Sequence, residues 1–226
     1  RGATIPLDSR WRLMAAASQG PGAGDKRRLI LDAAITVFAR QGFHHCRVSD
    51  VADEAGVAYG LVYHYFDSKE EMLNELFLQR WQIMLDAIVE IDARDELTPR
   101  EKLHQVAGFI IDSYRHEPDL MKVIIVEVTR AANSFGRLHL EKIREAYARI
   151  AEIVESARQA GVFKQDISAQ FAAMCFYGAI EQLLSGWIFD LLPQTEEEFE
   201  RAKTLVVEAI CGGLEVSPSG APAVSG

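Results

Sequence analysis

The chain has 226 residues, of which 49% are hydrophobic, and it carries a formal net charge of −9. This composition is enough for a sizeable core, and no apolar run reaches the ~18–20 residues that a membrane-spanning helix requires. The three cysteines lie far apart without a CxxC pair, and no secretory signal is present, which argues against a disulfide framework. We therefore predict a cytoplasmic protein with no membrane partner.

The negative charge is distributed unevenly along the chain. Residues 1–69 hold 9 Lys and Arg against 7 Asp and Glu, a balance of +2, whereas residues 70–226 hold 15 against 26, a balance of −11. A mildly basic head on an acidic body is typical of a chain with two functions. The charge of the whole chain therefore does not exclude DNA as a partner.

Both ends of the chain are predicted to be disordered. Residues 1–25 are rich in Gly, Ala, Pro and Ser and show no periodicity, and residues 215–226 have a similar composition. Position 1 is not Met, whereas the sequence at 14–17, Met-Ala-Ala-Ala, is typical of a natural start. We therefore expect residues 1–13 to be an addition to the natural chain.

Residues 26–70 predict three helices. Asp25 is a candidate N-cap for a first helix, which Gly42 ends. Two short helices follow, one over about 48–55 and one after Gly56, which allows a tight turn. Two short helices joined by a glycine turn and preceded by a third helix are typical of a helix-turn-helix unit.

Residues 71–214 predict a larger helical domain with almost no strand alternation. A capping box from Ser68 to Glu71 begins a long helix to about Asp92, and Pro99 begins the next helix. Further helices are predicted over about 118–132, 136–160, 168–191 and 195–213. The predicted fold class is all-α with about nine helices, in which an N-terminal helix-turn-helix domain precedes a ligand-binding and dimerisation domain.

The segment AGVAYGLVYHYF, residues 55–66, carries four aromatic side chains within eight residues. Val57, Val62 and Phe66 suffice to close the core of so small a unit, so several of the remaining side chains have to face outward. Outward Tyr and His groups can donate hydrogen bonds to DNA phosphates and stack on sugars. The alternative is that these rings pack against the following long helix. The side chains left for the surface are Tyr59, Leu61, Tyr63, His64 and Tyr65.

Three further features of this unit favour DNA. Leu61 is apolar at a base-facing position, which suits a thymine methyl group. Arg47, before the first short helix, can reach a phosphate or a base edge. Lys69 and the free backbone N–H groups after Ser68 suit another phosphate. We therefore predict that residues 26–70 bind double-stranded DNA.

A set of residues with ordered spacing runs from Ile30 to Leu73. Its members are Ala33-Ala34 with Phe38, Gly42-Phe43, Val48 with Val51-Ala52, Ala55-Gly56-Val57, Gly60 with Tyr63-His64-Tyr65-Phe66, and Ser68-Lys69-Glu70. This set resembles the N-terminal domain of the TetR/AcrR family of transcriptional regulators. Leu61 stands where that family often has Thr, and Arg47 where it often has a small hydroxyl residue, so no operator sequence is implied.

The resemblance implies a fold, partners and site residues. It implies a domain that binds a palindromic operator as a homodimer, with two recognition helices about one DNA turn apart, and a helical body that binds an inducer. By position it implies DNA contacts from Arg47, Ser49, Tyr59, Gly60, Leu61, Tyr63, His64 and Lys69.

Two late helices are predicted to form the dimer surface. The segment 171–180 is apolar almost all round, so it has to be covered on more than one side, and 202–210 gives a second, amphipathic helix. In the resembled family these two helices and their twofold mates form a four-helix interface. The predicted interface residues are Phe171, Cys175, Gly178, Val206 and Ile210.

Aromatic residues of the body are candidates for an effector site, although aromatics at helical spacing are also typical of plain core. Glu181 interrupts an apolar helix, and a buried carboxylate is costly unless it is paired. We expect an Arg or Lys from a neighbouring helix to pair with it, the alternative being contact with a ligand. The candidate ligand-binding residues are Trp81, Phe109, Tyr114, Tyr177, Glu181 and Trp187.

The run MCFYGAIEQLLSGWIF, residues 174–189, is similar to TetR-family regulators of fatty-acid degradation. That resemblance implies long-chain acyl-CoA as the effector. A hydrophobic or aromatic drug that controls an efflux gene is the competing hypothesis. The basic side chains expected to meet the CoA phosphates are Arg130, Arg137, Lys142, Arg144 and Arg149.

Neither a metal site nor a catalytic site is predicted. The sequence His44-His45-Cys46 lacks a second ligand pair nearby, and structural zinc sites need four ligands. No GxSxG, Walker loop or HExxH occurs. We predict a ligand-responsive repressor without a cofactor, and not an enzyme. A ligand-independent architectural DNA-binding protein is the alternative, but it would not need so large a body.

Overall fold

A computed structural model of the protein describes residues 23–127 and 137–214. Within these ranges the chain forms nine α-helices and no β-strand, which confirms the all-α prediction. The helices are α1 (Ala23–Gln41), α2 (Val48–Glu54), α3 (Tyr59–Tyr65), α4 (Lys69–Asp92), α5 (Pro99–His116), α6 (Pro118–Lys122), α7 (Arg137–Gln159), α8 (Ala169–Ile188) and α9 (Glu196–Leu214). A π-helical turn, Val123–Glu127, continues α6. None of the described helices is long and apolar enough to cross a membrane.

Some predicted features lie outside the described residues. They are most of the two ends predicted to be disordered, residues 1–22 and 215–226, and the last part of the helix predicted over 118–132. The N-cap predicted at Asp25 is wrong, because α1 begins at Ala23 and Asp25 lies within its first turn.

The chain divides into two compact units. Their described residues are 23–80 with 117–127 for the first unit, and 81–116 with 137–214 for the second. The first unit is therefore larger than the predicted DNA-binding segment 26–70. The additional residues belong to it because Met72, Leu73 and Leu76 of α4 and Val123 lie in its core, and Leu120 of α6 packs onto that core.

The core of the first unit holds two very short helices in place. Val37 and Phe38 of α1 are almost fully buried, and they pack in one cluster with Val51 of α2, Val62 of α3 and Phe66. Helices α2 and α3 have seven residues each, which is too short for a helix to be stable alone in water. The orientation of α2 and α3 is therefore set by these contacts with the core.

Capping boxes begin the two helices that follow this core. At α4, the Glu71 N–H donates to Ser68 Oγ at 3.1 Å, and the reciprocal bond comes from the residue before the N-cap, since the Asp67 N–H donates to Glu71 Oε2 at 2.6 Å. At α5, the Thr98 N–H donates to Glu101 Oε2 at 2.8 Å, and the Glu101 N–H donates to Thr98 Oγ1 at 3.3 Å. These bonds satisfy N–H groups that a helix start leaves without partners, and so they fix where both helices begin.

A buried ammonium joins α5 to α9 in the second unit. The Lys203 Nζ lies 2.8 Å from Asp112 Oδ1 and 2.6 Å from Glu200 Oε1. Burial disfavours the charged form of Lys203, but hydrogen bonds to the two carboxylates outweigh it and raise the pKa of the ammonium. The two helices are thus held together by a charged group that keeps its charge inside the protein.

Replacement of Gly56 tests the turn between α2 and α3. Gly56 has a φ of 63°, and no heavy atom lies within 4 Å of the place where a Cβ would stand. The positive φ is therefore the only feature that disfavours a side chain at this position. We expect Gly56→Ala to lower the free energy of unfolding by about 1–2 kcal/mol, measured by chemical denaturation. Gly60→Ala is the control, since Gly60 lies in α3 with equally open surroundings. An equal loss in both variants would contradict this account of the turn.

Candidate nucleic-acid interface and effector-binding residues

Helix α3 presents polar aromatic groups to solvent. The side chains of Tyr59 and Tyr63 are 53% and 43% exposed, and His64 is also exposed. Val62 is the buried residue of this helix, whereas Tyr65 is half-buried and packs against the core of the first unit. The alternative in which these rings pack inward therefore holds for Tyr65 alone.

Tyr59 and Tyr63 form a pair on the surface of α3. They stand four residues apart, so they share one face of the helix, and their rings meet edge to face at 5.1 Å. The hydroxyl oxygens of Tyr59 and Tyr63 share a hydrogen bond at 3.1 Å, and this interaction with Tyr59 raises the pKa of Tyr63. One of the two hydroxyl protons is used in this bond, so the pair retains one O–H group for an outside acceptor such as a phosphate oxygen.

The other predicted contacts on α2 and α3 have different exposures. The side chain of Arg47 is exposed and makes no ion pair among the described residues, while Ser49 and Leu61 are half-buried. Gly60 lies in the first turn of α3, and no heavy atom lies within 4 Å of the place that a Cβ would take, so packing within the described chain does not require glycine there. A glycine without an internal reason is expected where another molecule approaches the backbone closely.

Lys69 has a different environment from the one that the sequence indicates. Its ammonium donates to the backbone carbonyl oxygens of Phe43 at 2.7 Å and Cys46 at 3.1 Å, and it lies 3.5 Å from that of His44. The nitrogen also stands 4.7 Å from the centre of the Phe43 ring. The first residue of α4 is thus bound to the loop between α1 and α2.

The sequence His44-His45-Cys46 does not form a cluster. Both histidines are exposed, whereas Cys46 is buried and its thiol donates to the Phe43 carbonyl oxygen at 3.2 Å. Within 23–127 and 137–214, no group of three or more His, Cys, Asp or Glu residues is placed to hold a metal ion.

The predicted effector residues fall into two separate groups in the second unit. In one group, the Trp81 and Tyr177 rings lie 5.9 Å apart, and Tyr147 of α7 meets Tyr177 edge to face at 5.4 Å. Glu181, one helical turn after Tyr177 on α8, belongs to the same group. We call these four residues the aromatic–carboxylate cluster. Tyr147 is not among the predicted effector residues, because nothing local in the sequence distinguishes it from an ordinary core aromatic.

The second group belongs to the core. Tyr114 stacks on Trp187 at 5.8 Å, and Trp187 lies 4.7 Å from the Phe199 ring. The indole N–H of Trp187 donates to the Pro193 carbonyl oxygen at 3.1 Å, and the Tyr114 hydroxyl donates to Gln194 at 3.2 Å. Tyr114 and Trp187 are thus buried and have internal hydrogen-bond partners, as expected of core aromatics. Phe109, the sixth candidate, is half-buried on α5.

Glu181 lacks the ion pair that the sequence analysis expected. In the part of the chain that the structure describes, no Lys, Arg or His nitrogen lies within 4.0 Å of its carboxylate, so that expectation is wrong there. Burial raises the pKa of Glu181, and the carboxylate in turn adds to burial in raising the pKa of Tyr147. The physical reason is that Glu181 lies close enough to Tyr147 of α7 to affect its pKa, whereas no described basic side chain reaches the carboxylate.

The expected basic patch on α7 is partly neutralised. Lys142 lies 3.2 Å from Glu145, and Arg149 lies 3.1 Å from Glu152. Arg144 is exposed and has no ion pair among the described residues. Arg130 and the side chain of Arg137 lie outside the described residues.

One face of α8 carries exposed apolar side chains. Phe171 is 62% exposed, and Met174 and Cys175 next to each other are also exposed. Gly178 follows one turn later and has no heavy atom within 4 Å of a Cβ position, which leaves room for another chain.

Helix α9 differs from the prediction by one residue. Val206 is buried in its own chain, whereas Leu205 is 58% exposed and Ile210 is half-buried. One residue along a helix turns the side chain by about 100°. Leu205, and not Val206, is therefore the exposed apolar side chain at this point of α9.

Comparisons with known proteins agree with this geometry. The family model described as bacterial regulatory proteins, tetR family, matches residues 30–76, and that of the tetracyclin repressor-like C-terminal domain matches residues 99–210. The chain belongs to the TetR family. Members of this family are DNA-binding transcriptional regulators, and the first of these two matches, residues 30–76, includes the helix-turn-helix segment.

Similar TetR-family proteins include regulators of fatty-acid metabolism. The chain is 30% identical over 162 residues to the fatty acid metabolism regulator protein of Bacillus subtilis (strain 168), which covers 71% of this chain and 82% of that protein. The structure of the fatty acid degradation regulator FadR from Bacillus halodurans matches with a TM-score of 0.74 and 25% identity, covering 86% of this chain and 97% of that one. A structure of FadR from Bacillus subtilis in complex with stearoyl-CoA matches with a TM-score of 0.70 and 24% identity, covering 82% and 98%.

Gly60→Ala separates the role of this glycine in stability from its role in DNA binding. Alanine favours a helix over glycine by up to about 1 kcal/mol, so we expect the thermal unfolding midpoint to stay the same or rise. We expect DNA affinity, measured by fluorescence anisotropy, to fall because the new methyl group stands where the duplex approaches. Unchanged DNA affinity in the folded variant would show that Gly60 does not lie at the interface.

Proposed function

We propose that the protein is a homodimeric repressor that binds a palindromic operator and releases it when long-chain acyl-CoA binds to the second unit. The observation that carries the DNA half is the exposed Tyr59, Tyr63 and His64 surface on a helix whose one buried residue is Val62. The residues that we propose to contact DNA are those predicted from the sequence, with the exception of Lys69. The protein acts in the cytoplasm, where the operator is found.

The exposed apolar residues of α8 and α9 support the dimer. Phe171, Met174 and Leu205 each expose more than half of their surface in the single chain. Burial of apolar surface stabilises association by roughly 25 cal/mol per Å². The open space at Gly178 suits close approach of a second copy. A twofold dimer then places two α3 helices on successive turns of one face of DNA.

Leu205→Glu tests the proposed interface. A charge at the centre of an apolar interface loses its water without gaining a partner, so we expect the dimer to dissociate in sedimentation equilibrium. Operator affinity should fall by about tenfold or more, because each monomer then holds only half of the palindrome. Val89→Glu is the matched control, since Val89 is 48% exposed on α4. If both variants remain dimers at the same concentrations, the interface lies elsewhere.

The similarity to regulators of fatty-acid metabolism and degradation supports acyl-CoA as the effector. The Bacillus subtilis FadR structure holds stearoyl-CoA, which makes this compound the first probe. The aromatic–carboxylate cluster lies in the second unit, which the tetracyclin repressor-like family model covers in large part. Release of DNA requires that the effector bind one dimer geometry more tightly than the other.

One observation favours a second candidate effector, an organic cation. The protein would then be a repressor of an efflux gene that responds to this cation. Glu181 is a half-buried carboxylate without a basic partner among the described residues. It follows Tyr177 by one helical turn on α8, and its charge contributes to the raised pKa of Tyr147. Aromatic faces and a carboxylate attract a positive charge. They do not attract the phosphates of CoA. The two candidate effectors therefore carry charges of opposite sign, and the Glu181 carboxylate attracts the cation but repels the phosphates of CoA.

Glu181→Gln distinguishes the two effectors. If the effector is acyl-CoA, we expect the variant to release the operator at the same or a lower stearoyl-CoA concentration, because a negative charge has been removed. If the effector is an organic cation, the concentration needed for release should rise by about tenfold or more, as expected for a lost buried ion pair. Anisotropy of a labelled operator measures both, with free CoA and stearate as controls. Failure of every compound to release the operator would contradict the effector half of the proposal.

The same variant tests the burial of Glu181. A raised pKa means that the folded state binds the proton more tightly than the unfolded state, so wild-type stability falls as the pH rises through the raised value. We expect Glu181→Gln to be at least as stable as wild type at neutral pH. Its relative gain should disappear as the pH falls toward the ordinary value of 4.5. A variant that is less stable than wild type at neutral pH would indicate a partner for the carboxylate.

A further inference from the structure

We infer that Tyr59 and Tyr63 bind DNA as one unit that donates a single hydrogen bond, in which one hydroxyl positions the other. This inference rests on the proposed binding of DNA by the first unit, and it concerns how α3 makes its contact. It starts from the hydrogen bond of 3.1 Å that joins the two hydroxyl oxygens.

The geometry of α3 holds the two side chains together at the surface. Tyr59 and Tyr63 stand four residues apart, so they lie on one face of the helix. Their ring centres are 5.1 Å apart and the ring planes meet at 70°, an arrangement that stabilises pairs of aromatic rings. Because Val62 is fully buried, the rotation of α3 about its axis is fixed and the pair stays exposed.

The number of protons limits what the pair can donate. Each phenol has one O–H donor, and its oxygen can accept as well. The bond between the hydroxyls uses one of the two protons, whichever tyrosine donates it. One O–H group is left, and a hydroxyl that takes part in a chain of hydrogen bonds is a stronger donor. The pair therefore offers an outside acceptor one donor, which the second hydroxyl holds in place.

Two separate contacts with DNA would require the bond between Tyr59 and Tyr63 to break. A hydroxyl that loses its water at an interface needs another partner, because an unpaired polar group costs free energy there. The bond at 3.1 Å already supplies a partner for one hydroxyl. The pair therefore needs only one acceptor on DNA, whereas separate contacts need two. The geometry of the free protein favours the single contact.

His64, the other exposed polar aromatic residue of α3, has a different neighbour. Its ring meets the Tyr65 ring edge to face at 5.0 Å. It stands five residues after Tyr59, which places the two side chains roughly 140° apart around the helix. His64 is therefore the matched control for a polar aromatic group on α3 that does not belong to the pair.

A double-mutant cycle tests whether the two hydroxyls act together. Tyr59→Phe and Tyr63→Phe each remove one O–H group and keep both rings. The affinity for a duplex selected by the wild-type protein from a random pool is measured by fluorescence anisotropy. We expect loss of the hydroxyl that faces DNA to weaken binding by about two- to tenfold, and loss of the other to weaken it less. The double variant should bind no more weakly than the weaker single variant, whereas independent contacts would give losses that multiply.

Three controls accompany the cycle. The losses from Tyr59→Phe and His64→Phe should multiply when the two changes are combined, because these side chains contact different neighbours. The slope of log affinity against log salt concentration should stay at the wild-type value in both tyrosine variants, since a neutral hydroxyl displaces no counterion. Thermal unfolding of each variant sets a binding temperature well below its midpoint, so that every affinity refers to folded protein.

The inference is overturned if the losses from Tyr59→Phe and Tyr63→Phe multiply in the double variant, or if neither change weakens binding. A smaller salt slope in either variant also overturns it, because α3 would then have moved away from charged contacts. Failure of the wild-type protein to bind any duplex is a different result, which contradicts the proposed function itself.

Discussion

The structure of the first unit depends on one small hydrophobic core. Val51 of α2 and Val62 of α3 are fully buried against Val37 and Phe38 of α1. Seven-residue helices gain too few hydrogen bonds to offset the cost of ordering them, so this burial is what makes α2 and α3 helical at all. Since the inward residues are so few, most of the α3 surface remains free to face another molecule.

Polar contacts then fix the relative orientation of those elements of the first unit that its small core does not orient by itself. Arg27 of α1 binds the Glu75 carboxylate of α4, and its guanidinium lies 4.6 Å from the centre of the Phe66 ring. The Lys69 ammonium of α4 likewise binds carbonyl oxygens of the loop before α2. In both cases a cation of modest exposure joins elements that are distant in sequence. A unit with so small a core gains directional rigidity from these contacts more than it gains hydrophobic stability.

The second unit contains two kinds of aromatic environment. The rings of Tyr114, Trp187 and Phe199 pack on one another, and those of Tyr114 and Trp187 also have hydrogen-bond partners. The aromatic–carboxylate cluster holds a carboxylate whose pKa burial raises, with no basic partner in the described residues. Groups left incompletely satisfied inside a folded protein are where a ligand gains the most by binding. This contrast is the reason for proposing that the effector binds near Glu181.

The sequence by itself determined the features that a few neighbouring residues control. The helical periodicity, the turn at Gly56 and the capping box at Ser68 are local, so the all-α fold and the helix-turn-helix unit followed from them. The outward position of Tyr59 and Tyr63 also followed, because the inward residues of so short a helix could be counted.

Only the tertiary structure decided which groups meet across long separations in the chain. Lys69 reaches carbonyl groups 23 and 26 residues away, and Tyr147 of α7 meets Tyr177 of α8. The absence of a basic partner for Glu181 among the described residues and the inward turn of Val206 likewise depend on how neighbouring helices are rotated against one another. Helix rotation is set by the packing of side chains from several helices at once, and no pattern within a single helix specifies it.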